Sequence, residues 1–341
     1  MQNDITRKIK IPTGYLFTTK CENGELETLS IGDYGKRHNI KADFLGFHDD
    51  VQKVDNGRIE PLSEKWVVTL STQYGCPMRC SFCDCPKVGF NGSASFDDLK
   101  KQLYNALGCF PDEHYAGRLN VHFARMGEPS LNAWNVIRFS QWMATRKLDI
   151  KHDTGVSVDV LHPVFTTMCP KISGQKDLRG ILMQWCLVKN ESYAGCAGLQ
   201  LSINSTSDEQ REEMFNGMAM SLSEISGICR YLPEPLGRKY CLNFALADTY
   251  EVDAGRLRSL FNPERFMVKI TPIHNNDACR DGGIETSHGY TDSTWYQKAE
   301  RELKDAGFDV LVFVPSMDEE DGLVTCGNVV LSGSSPKNAI G

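Results

Sequence analysis

The sequence predicts an α/β protein built as a full or partial (β/α) barrel, on three observations. Apolar β-rich runs alternate with helical patterns from Lys65 onward, six or seven such units fit into roughly 270 residues, and no GxGxxG follows the first strand. The last observation argues against a doubly wound dinucleotide fold. The predicted strands are Trp66–Leu70, Leu119–Phe123, Val156–Val160, Leu199–Ile203, Leu242–Leu246, Met267–Ile273 and Val310–Val314. Between them, Phe96, Leu99, Leu103 and Leu107 fall on one helical face behind a capping Ser95, and a second helix runs from Ser293 to Ala306 before Gly307.

Residues 1–64 read differently. Turn signals at Asn23-Gly24, Gly32-Asp33 and Asn56-Gly57, with little helical periodicity, predict a small β-rich leader packed on the barrel. The division expected is therefore 1–64 leader, 65–333 barrel and 334–341 flexible tail.

With 37 basic and 44 acidic residues the chain carries −7, which excludes a protein that holds nucleic acid through a broad basic surface but leaves a local basic groove open. The apolar runs are far too short to span a membrane, and the polar stretch Met1–Lys10 has no apolar signal core, so a cytoplasmic, unanchored protein is expected. Thirteen cysteines, an odd number without a secretion signal, point to reduced thiols and metal binding rather than a disulfide framework.

Those thiols concentrate after the first barrel strand, in Gly75-Cys76-Pro77-Met78-Arg79-Cys80-Ser81-Phe82-Cys83. Three cysteines this close are well placed to become soft metal ligands, at the strand end where barrel active sites lie, with three packed free thiols as the plain alternative. Three thiolates on a four-iron cubane leave one iron open for chemistry. A closed zinc site that adds Cys85, in a binding protein rather than an enzyme, is the alternative from another class.

The CxxxCx-aromatic-C loop resembles that of the radical S-adenosylmethionine enzymes. Further motifs, in order from about Val67 to Gly333, resemble the RNA adenine methyltransferases of that superfamily, the 23S ribosomal RNA adenine-C2 and chloramphenicol-florfenicol resistance methylases. Ser71-Thr72-Gln73-Tyr74-Gly75-Cys76 with Lys87-Val88-Gly89-Phe90 matches their cluster loop, and Met126-Gly127-Glu128-Pro129 the motif after the second strand. Leu201-Ser202-Ile203-Asn204 with Asp208, Glu209 and Arg211, Lys269-Ile270 with Pro272, Ile273 and Asn276, and Asp318–Asp321 with Thr325-Cys326-Gly327 complete the series.

The resemblance implies a radical SAM type barrel, a 4Fe-4S cluster on Cys76, Cys80 and Cys83, and S-adenosylmethionine as second cofactor. It also implies an electron donor such as flavodoxin or ferredoxin. Gly127, Glu128, Thr166, Ser202, Asn204 and Asn276 become candidate cofactor-binding residues. Each has a plainer reading: Glu128 as a turn-stabilising acid, Asn204 as a helix cap, Asn276 as a loop-turn residue. Cys326 is implied to carry a methyl group that a radical then activates for addition to an sp2 carbon of an adenine-like base. Glu60 is matched to a proton-accepting glutamate across a gap.

Two departures stand out. Thr69 occupies the position where the family has the cysteine that releases its covalent RNA adduct, and a hydroxyl cannot form that disulfide. Cys85 and Cys279 are the replacement thiols suggested by location. The leader is short, and its nine basic residues oppose eleven acids, so RNA, a nucleotide or another small molecule all stay open as substrate. An enzyme that applies the 5′-deoxyadenosyl radical directly to a small molecule, without methyl transfer, is the second reading.

Overall fold

The computed structural model describes residues 4–33, 40–42, 59, 61–171, 177–274, 276–284, 294–315, 317–325 and 327–341. The leader forms a meander of β1 (Ile5–Ile11), β2 (Gly14–Cys21) and β3 (Gly24–Ile31), joined by two-residue turns, followed by the short β4 (Ile40–Ala42). The barrel begins at β5 (Trp66–Leu70), then the hairpin β6 (Gln73–Gly75) and β7 (Phe90–Ser93), α1 (Phe96–Gly108) and β8 (Tyr115–Phe123). Helices α2 (Ala133–Thr145) and α3 (Lys147–Thr154) lead to β9 (Ser157–Thr167), and α4 (Leu178–Leu187) to β10 (Gly198–Ser202). Two short helices, α5 (Asp208–Met214) and α6 (Leu222–Cys229), precede β11 (Tyr240–Leu246), and α7 (Ala254–Leu260) precedes β12 (Phe266–Pro272). The chain continues through α8 (Asp277–Asp281), α9 (Thr294–Asp305), β13 (Asp309–Val314) and α10 (Met317–Asp321).

Strands β5, β8, β9, β10, β11, β12 and β13 pair in parallel in that order, and each contains or overlaps one of the strands predicted from sequence. The sheet has eleven strands and stays open, as a partial barrel, because β1 lies at one edge and β4 at the other. Antiparallel leader strands flank both sides of the parallel array, β3 on β5 and β4 on β13, and so cover edges that would otherwise expose unpaired backbone groups.

Each barrel strand divides its side chains by parity. Trp66, Val68 and Leu70 are fully buried against the helices while Val67 and Thr69 are half-buried, and the same alternation in β12 buries Phe266, Val268 and Ile270 but leaves Met267, Lys269 and Thr271 half-exposed. The helix side is the packed core; the other face lines a lumen.

Helix α1 starts as its sequence demands. Ser95 and Asp98 form a reciprocal capping box, and Leu99, Leu103 and Leu107 are buried. The leader is stitched to this first unit through Gln102. Its Oε1 accepts from the Thr28 hydroxyl at 3.0 Å and from Ser71 N at 2.9 Å. Trp66 Nε1 donates to Ser30 Oγ at 2.9 Å, and that hydroxyl donates to Ala106 O at 2.8 Å. Residues 334–341, expected to fray, are instead tied down. Ile340 N donates to Lys10 O and Lys337 N to Asp321 O, both at 2.8 Å, and the Asn338 amide donates to Asp318 O at 2.8 Å.

The hairpin β6–β7 sets the direction in which the cysteine loop leaves the barrel. Gly75 has φ +78°, and a Cβ there would stand 1.7 Å from Gly89 O, while Cys76 N donates to the same oxygen at 3.1 Å. Only glycine fits. Gly75→Ala is expected to lower unfolding stability by at least about 2 kcal/mol, the cost of a left-handed side chain plus the clash. A urea titration of the full chain measures it.

Candidate functional site

Cys76, Cys80 and Cys83 are each half-buried in the loop beyond β6, and Cys85 is buried at its end. Met78, Met168, Met214 and Phe215 pack against Cys76, Cys80 and Phe82, with Cys80 Sγ 3.9 Å from Met168 Sδ and the Phe82 and Phe215 rings edge to face at 5.7 Å. Burial pushes the Cys76 thiol up to about 12 and raises Cys80 well above the usual thiol range, with the charges of Cys83 and Glu128 adding to both. Cys83 is lowered, because Cys85 hydrogen-bonds its sulfur.

Among the described residues no three His, Cys, Asp or Glu side chains converge on one point, as the ligands of a single metal ion do. A cubane needs no such point, since each corner iron takes its own thiolate. Three soft donors that sense one another's charge, shielded by thioethers and a phenyl ring, fit an iron-sulfur cluster.

Beside this loop lies the turn after β8. Gly127 has φ +97°, and a Cβ on it would meet Gln73 Cβ at 2.6 Å. Gln73 Oε1 accepts from Glu128 N at 2.9 Å, which locks the turn to β6. The Glu128 carboxylate is buried. Its Oε1 accepts from Ser130 N at 3.0 Å and Ser130 Oγ at 2.7 Å, and its Oε2 accepts from Met168 N at 3.0 Å. Burial raises its pKa while these donors and the Thr167 hydroxyl oppose the rise. Glu128 therefore clamps its own turn to the end of β9.

The C-terminal loop is held against the cysteines from two sides. Asp84 N donates to Gly327 O at 2.8 Å, and Asn276 Nδ2 donates to Phe82 O at 2.9 Å and Gly327 O at 3.3 Å. Asn276 Oδ1 meanwhile caps α8 by accepting from Cys279 N at 2.8 Å. From the other side, Arg125 Nη1 donates to Leu323 O at 2.9 Å and to Thr325 O at 3.4 Å. The rest of that guanidinium pairs with Glu27 of β3, both side chains being 1% exposed or less, and Glu27 Oε2 accepts from Leu331 N at 3.0 Å. Cys326 itself, and Glu60, lie outside the described residues; the residues on either side of position 326 are bound by this network.

The remaining candidates are spread along the strand ends. Asn204 sits at φ +61°, and its Oδ1 accepts from Ala245 N at 3.0 Å, bridging β10 to β11, while Ser207 rather than Asn204 caps α5. Ser202 is half-buried on the lumen face, and its carbonyl takes a 3.1 Å hydrogen bond from Arg211 Nη1. Thr166 Oγ1 lies 3.5 Å from Gln200 Oε1 on the same face. Cys85 Sγ is 3.4 Å from Arg125 O and Cys279 Sγ 3.6 Å from Phe82 O, so both thiols back onto the cysteine loop. Thr69 faces the lumen in register with His122. Arg125 and Glu27 are the site residues that sequence reasoning missed.

No family model matches the chain. Over 99 residues, 29% of this chain and 26% of the relative, it is 33% identical to the probable dual-specificity RNA methyltransferase RlmN of Chlorobaculum tepidum. Over 224 residues, 64% of this chain and 54% of the relative, it is 24% identical to the dual-specificity RNA methyltransferase RlmN of Geobacter sulfurreducens. The chain thus spans about a quarter to a half of the length of the curated relatives it matches. A crystal structure of a radical SAM methyltransferase from Sphaerobacter thermophilus superposes with a TM-score of 0.60 at 16% identity, covering 96% of this chain and 81% of that one. The structural likeness shows that the two chains share a fold, and the named relatives bear out the resemblance drawn from the motifs.

Two outcomes follow from the site's electrostatics. Glu27→Ala is expected to cost about 3–5 kcal/mol by leaving Arg125 buried without a counter-charge, and Glu27→Leu combined with Arg125→Met to recover much of it; denaturant unfolding of the three proteins decides. The second concerns loading with iron and sulfide. Thiols whose pKa is raised in the metal-free protein must lose protons to ligate, so cluster assembly strengthens as pH rises from about 7 to 8.5. Brown absorbance after anaerobic reconstitution reports it, and a pH-independent yield would contradict the thiol assignments.

Proposed function

We propose that this chain is a radical S-adenosylmethionine enzyme of the methyltransferase type, acting on an sp2 carbon of an adenine-like base through Cys326. The observation that carries the proposal is the hydrogen bond from Asp84, next to cluster ligand Cys83, to Gly327, next to Cys326. It joins a three-thiol loop to the segment with the candidate methyl carrier.

In this reading Cys76, Cys80 and Cys83 would hold a 4Fe-4S cluster, which when bound beside S-adenosylmethionine would supply one-electron reduction of its sulfonium. The protein's work is placement. Glu128 is the carboxylate proposed to accept from the ammonium group of the cofactor, beside the donors it already takes from Ser130, Met168 and Thr167. Gly127 brings backbone close to that position, while Ser202, Thr166 and the Asn204 bridge shape the adjoining lumen wall. Asn276 acts as a positioning residue, because both ends of its amide are engaged in holding Phe82, Gly327 and α8. Glu60 is the proposed proton acceptor. Where the family uses a cysteine at the Thr69 position to release product, Cys85 or Cys279, each against the cysteine loop, takes that part.

The protein is proposed to draw its electron from a flavodoxin- or ferredoxin-like donor and to work in the cytoplasm. None of its described helices is long and apolar enough to cross a membrane.

Mass spectrometry of the Cys326 peptide, from protein produced with S-adenosylmethionine present, tests the reading. A methyl on that sulfur, with S-adenosylhomocysteine among the products, is expected; Cys326→Ala should abolish both while leaving the iron content intact. Deoxyadenosine without S-adenosylhomocysteine would assign the direct radical reaction instead. Cys85→Ala and Cys279→Ala are expected to differ, with turnover lost in one of them.

A further inference from the structure

Toward the end of the lumen at which β11 begins, positive charge gathers among the described residues with no carboxylate beside it. Arg118 and His122 of β8, His162 of β9, Lys269 of β12 and Arg238, two residues before β11, meet there. His122 is held neutral, its pKa lowered to about 3 by burial and then by Lys269, Lys65, Arg238 and Arg118. The same surroundings, burial first and then Arg238 and Arg118, take His162 down to about 2. In a chain of net charge −7 this is a local inversion of sign.

The carboxylates at this end are already engaged. Asp33 pairs with Lys65, and Asp309 with Lys239 at 2.7 Å. Among the described residues none lies within 4 Å of a charged nitrogen of Arg118, Arg238 or Lys269; Lys269 Nζ has only the Phe313 ring, 5.4 Å away.

Hydrogen bonds tie these groups together. His162 Nδ1 lies 2.9 Å from Asn120 Oδ1 and 2.9 Å from Arg118 Nη2, Arg238 Nη1 contacts both ring nitrogens, and Arg118 Nε donates to Asn120 Oδ1 at 2.9 Å. One neutral imidazole and one amide oxygen cannot take up all the donors of two guanidiniums, so donors outnumber side-chain acceptors among the described residues there. Solvent reaches this wall, since Thr69, His122, Gln200, Asn243 and Lys269 on the lumen face are partly exposed and Arg238 is exposed at the rim.

We propose that this end of the lumen is an anion site that takes the terminal phosphate of a small ligand. Two guanidiniums and an ammonium exceed the single charge of a carboxylate. A phosphate monoester brings nearly two charges and three acceptor oxygens, which suits forked donors on two sides and a point charge on a third. The site adjoins the lumen wall that carries Thr166 and Ser202, since Gln200 lies 3.5 Å from Thr166 and Lys269 stands in register with Asn243 and Ser202, but phosphate binding is read without turnover.

Calorimetric titration of the full chain with inorganic phosphate, adenosine 5′-monophosphate and adenosine tests the proposal. Phosphate and the nucleotide are expected to bind in competition, adenosine not to compete, and Lys269→Gln and Arg118→Gln each to weaken phosphate about tenfold. Tighter binding of the nucleotide than of phosphate identifies a nucleotide phosphate as the source; binding of phosphate alone identifies free phosphate. Lys269→Gln keeps the test decisive if Arg118→Gln disturbs Asn120 and His162, because the partly exposed Lys269 ammonium has no hydrogen bond to either of them and, among the described residues, lies over the Phe313 ring. Absence of phosphate binding, or binding undiminished in Lys269→Gln, overturns the proposal.

Discussion

The ion pair of Glu27 with Arg125 is the constraint on which the organisation of this protein depends. One carboxylate and one guanidinium, both sealed from solvent, join three parts of the chain that share no sequence neighbourhood: the third leader strand, the loop after β8, and the C-terminal segment from Leu323 to Leu331. Taking two charges out of water costs several kcal/mol per ion, which mutual attraction offsets only when the remaining donors and acceptors are satisfied. Here they are, by the backbone groups of Leu323, Thr325 and Leu331. The pair thereby fixes the distance between the cysteine loop and the segment around position 326.

Two different kinds of restraint converge on that segment. From the cysteine side, Asp84 N and the Asn276 amide grip the carbonyl of Gly327; from the leader side, Arg125 grips the carbonyls before position 326. The side chains matched to cofactor-binding roles in related enzymes are in several cases already committed within the protein. Asn276, Asn204 and Glu128 each hold backbone groups of other elements. Each of these side chains therefore has a structural part in holding strand ends and loops together.

The parallel strands and the first helix were legible because their causes are local. Apolar alternation marks each strand, and Ser95 with Asp98 announces the start of α1. The CxxxCxxC loop was legible for the same reason, as its chemistry is carried by spacing within eight residues. Glu27 was not. It lies in Gly24-Glu25-Leu26-Glu27-Thr28, where an acid in a short strand reads as solvated, and its partner is 98 residues away. The pinned tail escaped for a similar reason, because Ile340 N finds its acceptor on Lys10 at the other end of the sequence. The cationic lumen is a sum over three strands and the residue run before a fourth, and no one of them looks basic.

The parity of the barrel strands has an evolutionary side. In β5 and β12 one set of positions carries the packing that keeps the molecule folded, and the interleaved set is only partly buried. Amino-acid replacements in the second set escape the volume constraint that governs the first. A lineage can therefore rewrite what its barrel recognises, one alternate residue at a time, while every intermediate still folds.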